Sequence, residues 1–240
     1  MTGSLYFDFE ANVNKDFFLL AMRYQGETTQ FVLDERLSGA AEAKQLPIVD
    51  PLAKSQAILD LAQRESLSLV AYSEIEAEDL QHLFGGDIPA RYLDIPYINL
   101  AKAARTWINA FHREAFDALG PYLPAEQVGQ MQSRRRQYNN SLASRMRVTD
   151  FPPPRGYGYG KTTLRIKAVM SGLEFRDQDY SALTNTQKSK WTNVLKHSRY
   201  DVEALEHLEA LIRNDRPSIL ERATKTLGDI ASRSRATAEE

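Results

Sequence analysis

The sequence predicts an α/β fold, a mixed five-stranded sheet flanked by helices. Three observations carry it. Three apolar runs within the first 35 residues are joined by links so short that an antiparallel meander is the simplest connection. Helix and strand signals then alternate as far as residue 97, and strands joined by helical crossovers run parallel to a neighbour. Beyond that point the hydrophobic period is helical almost throughout.

The elements follow in order. In "SLYFDFE" (4–10) Leu5, Phe7 and Phe9 share one face of a strand, and Tyr6, Asp8 and Glu10 the other. The turn-rich "NVNKD" leads to a second strand, "FFLLAMRY" (17–24), and "GETT" to a third, "QFVLDE" (30–35). Asp50–Pro51 marks a helix start, since Leu52, Ala53, Ile58, Leu59 and Ala62 then recur near helical spacing. "LSLVAY" (67–72) is the fourth strand, "EIEAEDLQHLF" a helix stopped by Gly85–Gly86, and "RYLDI" (91–95) the fifth strand. "INLAKAARTWINAFHREAFDAL" reads as one long amphipathic helix ended by Gly120–Pro121. Helical patterns resume at "TTLRIKAVMSGLEF", over 186–213 and from residue 217, and the tail "SRSRATAEE" frays. The expected organisation is a single domain over 1–240, with a basic, aromatic insertion at 120–161 and a helical C-terminal part at 162–232.

Composition excludes several classes. At 42% hydrophobic and 26% charged, the chain has the balance of a soluble globular protein. It lacks the apolar run of about 18 residues that a membrane span needs, and no basic-then-apolar leader opens it. The absence of cysteine removes disulfides, thiolate metal sites and cysteine nucleophiles, and the expected compartment is a reducing cytoplasm. A net charge of −2 gives no overall basic bias, so any signal for nucleic acid must be local.

Four constellations could carry chemistry. Asp8 and Glu10, two apart on a strand, share a face and could share a hard cation; a solvated acidic face is the plainer reading of the pair alone. In "KHSRYDVEALEHLEALIRN", Val202, Leu205, Leu208, Leu211 and Ile212 form a buried stripe, while His197 and Asp201 are neighbours four apart, either a surface pair or a base beside a metal ligand. Glu74, Glu76, Glu78 and Asp79 follow the fourth strand, where α/β sheets gather their ligands and where acids also favour a helix N-terminus. Residues 132–161 hold seven Lys or Arg and one Asp: Arg134, Arg135, Arg136, Arg145, Arg147, Arg155 and Lys161, interleaved with Tyr138, Phe151, Tyr157 and Tyr159. Arginines for phosphates and aromatics for base stacking suit a single strand, and a charged surface insertion has the same composition.

"YFDFEA", "VAYSEIEAEDL" and "HSRYDVEAL", in that order, resemble the DEDD-type 3′–5′ exonucleases of the ribonuclease H-like fold. That family carries Asp-x-Glu on its first strand, an acid after a later strand, and a Tyr or His a few residues before a last Asp. "TTLRIKAVMSGLEFRDQDYSAL" is similar to the segment before that last motif in some members, so the resemblance covers residues 4–213. It implies a metal-dependent hydrolase acting on single-stranded DNA or RNA. Asp8, Glu10, Glu76 and Asp201 would hold two divalent cations, Mg²⁺ or Mn²⁺, and His197 would be the base. Phe9, Ser73, Arg134, Arg135, Arg136 and Lys161 would contact substrate. The sequence departs from the pattern where motif two has Glu76, with Glu74 as the alternative, where Ser73 replaces a usual Asn, and where His197 stands at tyrosine spacing. These departures support a second reading, a catalytically weakened or inactive nucleic-acid-binding module; a protein-interaction scaffold is a third.

"RGYGYGKTT" is not a P-loop: Arg155 stands where the first glycine belongs, and "DFPPPR" cannot be the strand before it. Trp107 and Trp191 fall in helical patterns and read as packing, and His82, His112 and His207 lack partners at ligand spacing.

Overall fold

The period-two pattern of the first strand sets the layers. The computed structural model describes residues 3–119, 141–154, 157 and 161–238, the last five by their backbone alone. Within it β1 (Ser4–Ala11), β2 (Phe17–Tyr24) and β3 (Glu27–Val32) form an antiparallel meander. β4 (Ser68–Ala71) runs parallel to β1, and β5 (Pro96–Asn99) parallel to β4. The sheet order is β3-β2-β1-β4-β5-β6. Leu5, Phe7 and Phe9 of β1 pack on one side, against Ile58 and Leu59 of α2 (Pro51–Arg64, after the short α1, Ser38–Glu42) and Leu80 of α3 (Ile75–Leu83). Tyr6 packs on the other, against Trp107 of α4 (Leu100–Phe111).

Three shorter stretches complete that side: α5 (Arg113–Ala118), α6 (Leu142–Met146) and α7 (Thr162–Glu174). The long α8 (Asn185–Asp215) crosses β1, β2 and β3. Its start is fixed by a capping box, in which Thr184 accepts from the Gln187 N–H and the Gln187 side chain accepts from the Thr184 N–H. Val202, Leu205, Leu208 and Ile212 are buried along it and Leu211 partly so. Both tryptophans are core residues: Trp107 Nε1 donates to Asp215 at 2.7 Å and Trp191 Nε1 to the Ala40 carbonyl at 3.2 Å.

Four expectations need correction. The sheet has six strands, not five, because β6 (Thr224–Thr226) pairs antiparallel with β5 between α9 (Ser218–Ala223) and α10 (Leu227–Ala238). The third strand spans 27–32 rather than 30–35: Gln25 and Gly26, at φ 51° and 79°, turn the chain in two residues, and Asp34 already caps the next 3-10 turn by accepting from the Arg36 N–H. Residues 91–95 are not the fifth strand. After Pro89 the chain makes a 3-10 turn (Ala90–Tyr92) that buries Tyr92, whose hydroxyl donates to Asp60 at 2.5 Å, and pairing starts only at Pro96, a position where a strand tolerates proline. The long helix after residue 97 is two helices, broken at His112, which leaves helical geometry at φ −133° with its ring on Trp107.

Candidate functional site

Asp8 and Glu10 lie on the β1 face opposite the Phe7 core, looking toward α8. The β1–β2 register shifts between Glu10 and Ala11, a bulge of the kind that re-aims a side chain at the end of a strand. Across from them α8 presents His197 and Asp201, one turn apart and both buried. His197 Nε2 lies 3.2 Å from Asp201 Oδ2 and 3.6 Å from Glu10 Oε1. One ligand atom each from Glu10, His197 and Asp201 lie within 4.8 Å of one another.

Tyr157 holds this group from the third side. Its ring stacks on the His197 imidazole at 4.0 Å, its hydroxyl donates to Asp201 Oδ1, and its carbonyl lies 3.0 Å from His197 Nδ1. A carbonyl can only accept, so the imidazole carries a proton on Nδ1.

Glu76 enters from α3. The loop after β4 is pinned by the Tyr97 hydroxyl, which donates to the Ser73 carbonyl. Ser73 then donates to Glu76 Oε2 from its hydroxyl at 2.8 Å and its N–H at 3.2 Å, turning the Glu76 carboxyl back toward the strand end. Glu74 is engaged elsewhere: it pairs with Lys102 at 2.5 Å and Lys225 at 2.9 Å. Burial works against its charge, but the two ammonium groups hold its carboxyl down at about 2. Of the two glutamates, Glu74 is thus held by its lysines, and it is the charge of Glu76 that acts on Asp8. Asp79, one turn after Glu76, is buried beside it and pairs with Lys15 at 2.5 Å.

The electrostatics bind these groups together. Asp8 keeps partial exposure, yet burial pushes its carboxyl well above the usual range, and the charges of Asp201, Glu10, Glu76 and Asp79 add to that. Burial raises Glu10 to about 7, opposed by His197 and reinforced by Asp201. Asp201 is also raised by burial, against His197 and the Tyr157 hydroxyl. Glu76 is raised by burial, against its own backbone N–H and Ser73. Carboxylates this close cannot all be charged without a counter-cation. A divalent cation fits the donors present: Glu10 Oε1 is buried with no hydrogen-bond partner, and the groups around it are oxygens and one imidazole nitrogen.

The chain matches no family model, no curated protein and no solved structure with which it was compared.

The structure thus brings Glu10, His197 and Asp201 together, with Asp8 feeling the charges of Glu10, Asp201 and Glu76, and with Ser73 orienting Glu76 rather than standing free. Phe9 is not at the site surface: its ring is buried edge-on against Phe7 and Phe17. Lys161 lies at the start of α7. Arg134, Arg135 and Arg136 lie outside the described residues. Within the basic segment, Arg145 is buried with its guanidinium over the Phe116 ring, Phe151 stacks on Tyr200, and Tyr157 is part of the site. Lys15 was not singled out by the sequence, Asp79 entered only as one of four acids after the fourth strand, and Tyr157 only as a stacking aromatic of the basic segment. A cleft of about 630 Å³, of small-ligand size, lies past the end of β1, lined by Ala11 and Asn12, exposed Val13, Ile75, Glu78 and Lys167, and half-buried Lys15, and by none of Asp8, Glu10, Glu76, His197 and Asp201.

Proposed function

We propose that the protein is a metal-dependent nuclease, a 3′–5′ exonuclease hydrolysing phosphodiesters of single-stranded DNA or RNA. The observation that carries this is the cluster of Glu10, His197 and Asp201, one ligand atom each within 4.8 Å of one another, with Asp8 two residues before Glu10 on β1 and Glu76 held by Ser73 just after β4. The order and directions of the first five strands support the ribonuclease H-like reading, in which that position holds the reacting phosphate.

The four carboxylates would hold two divalent cations, Mg²⁺ or Mn²⁺. Such cations supply positive charge to the phosphate oxygens and acidify a water. The chain's own residues do the rest. Ser73 keeps Glu76 turned inward, and Tyr157 fixes the orientation of His197 and Asp201. The Nε2 lone pair of His197 serves either as base toward the attacking water or as a ligand beside the carboxylates. Lys167 on the wall of the nearby cleft suits phosphate, Lys15 being paired with Asp79, and the exposed Val13 and Ile75 suit the flat face of a base.

The test is a 5′-labelled single strand, DNA and RNA in turn, incubated with Mg²⁺, Mn²⁺ or EDTA. The expected result is a metal-dependent ladder shortening from the 3′ end, reduced about a hundredfold or more in Asp8→Ala and Asp201→Ala. Equal degradation by both variants, or binding without shortening on either substrate, would overturn the proposal; the second outcome leaves a nucleic-acid-binding module.

A further inference from the structure

We infer that His197 is itself a metal ligand, forming with Glu10 and Asp201 a mixed nitrogen–oxygen site that takes a transition cation such as Mn²⁺ or Zn²⁺ in preference to Mg²⁺. The inference rests on the metal-binding part of the reading above and changes the role of the histidine within it.

The distances support a shared ion. Two donors each about 2.0–2.2 Å from one cation, at tetrahedral or octahedral angles, lie about 2.8–3.6 Å apart. Nε2 of His197 stands 3.2 Å from Asp201 Oδ2 and 3.6 Å from Glu10 Oε1. A histidine acting through an intervening water would stand one water farther from those oxygens.

The hydrogen bonding supports it too. Metal-binding imidazoles characteristically donate their other N–H to a carbonyl or carboxylate, which fixes the tautomer and aims the lone pair. Here the Tyr157 carbonyl takes Nδ1–H, so Nε2 is the free nitrogen. The Tyr157 hydroxyl occupies Asp201 Oδ1 and leaves Oδ2 for the point that Nε2 faces. A single residue thus orients both.

An ion pair between a doubly protonated His197 and the two acids is the competing account. It leaves Glu10 Oε1 unsatisfied: 3.6 Å is beyond hydrogen-bond length, and this atom is buried with no partner. A cation contacts all three atoms at once. The donor set then selects the metal, because imidazole nitrogen suits Zn²⁺, the two carboxylates suit Mn²⁺, a transition ion that also accepts one nitrogen, and Mg²⁺ keeps to oxygen and holds its waters.

The test uses the full chain. Mn²⁺, Zn²⁺ and Mg²⁺ are titrated by calorimetry, and the Mn²⁺-loaded protein is examined by pulsed electron paramagnetic resonance for coupling to ¹⁴N. The expected results are Mn²⁺ and Zn²⁺ affinities about tenfold or more above that of Mg²⁺, a directly bound nitrogen in the wild type, and loss of that signal in His197→Gln. Absence of nitrogen coupling in the wild type, or Mg²⁺ bound as tightly as Mn²⁺, would overturn the inference. The spectroscopic arm needs no variant, so a folding defect in His197→Gln cannot mask the answer. Nitrogen coupling without shortening of any nucleic acid sinks the nuclease reading alone; metal-dependent shortening without nitrogen coupling sinks this one alone.

Discussion

At Glu10, burial pushes the carboxyl up to about 7, with His197 opposing and Asp201 adding. An unfolded chain would leave it near the ordinary value of about 4.3. Between those two values the folded protein holds a proton that the unfolded chain has lost, so the metal-free protein loses stability as pH rises through that window. Glu10→Gln removes the proton from the balance. The expected outcome is a gain of about 1–3 kcal/mol at pH 8 and little change at pH 4, read from urea melts in EDTA. A variant that destabilises equally at both values would show that Glu10 is a structural residue. The same scale shows what the sequence made legible. Asp8, Glu10, His197 and Asp201 declare themselves because period two and period four are local rules. The choice between Glu74 and Glu76 stayed open because it depends on Lys102 and Lys225, which are 28 and 151 residues from Glu74. The role of Tyr157, named in the sequence only as a stacking aromatic, stayed hidden for a related reason: nothing near it in sequence shows that its carbonyl and hydroxyl reach α8.

α8 places His197 and Asp201, and the element is anchored by a buried acid farther along it. Glu209 is buried and accepts from the Tyr6 hydroxyl at 2.7 Å, from the Ser4 hydroxyl at 3.2 Å and from the Arg213 guanidinium. The first two donors sit on β1, two and four residues before Asp8, so this group fixes α8 against the strand that carries the other half of the site. Glu209→Ala takes away the acceptor of the buried Tyr6 phenol and one partner of the Arg213 guanidinium. It should cost about 3 kcal/mol in urea-induced unfolding, with Glu209→Gln costing less because the Tyr6 bond survives. A loss below about 0.5 kcal/mol in the alanine variant would refute the anchoring role. Element existence was otherwise well marked in the sequence: the first two strands, α2 with its Asp50 cap, and β4 with the helix after it all appear where the pattern placed them. Beyond the shifted β3 and the broken long helix, the pieces missed are two short strands. β5 has four residues and begins with proline, and β6 has three, too few to display an alternation against flanking helical patterns. β5 is a strand because the open edge of β4 supplies a partner, and β6 because β5 then supplies one, tertiary causes that no local window contains.

For the whole molecule the question is how a chain with 30 basic and 32 acidic residues would hold a polyanion beside its own carboxylates. The net charge opposes it, so attraction has to come from segregation along the chain. Residues 132–161 supply that, with seven Lys or Arg against one Asp. Arg145 is packed over Phe116 and Arg147 donates to the Leu119 carbonyl, so both have structural duties. Arg134, Arg135 and Arg136 form the densest remaining cluster in the sequence. If they neutralise phosphates, each should add about 0.7 to the slope of log affinity against log salt for a single strand. Replacing all three with alanine should therefore reduce that slope by about 2 and weaken binding about tenfold or more at low salt, leaving the melting temperature unchanged. Fluorescence anisotropy of a labelled oligonucleotide across a salt series, with EDTA present to prevent cleavage, measures both quantities. A slope equal to that of the wild type would remove the arginine cluster from the interface and shift the phosphate contacts to Lys167 on the cleft wall.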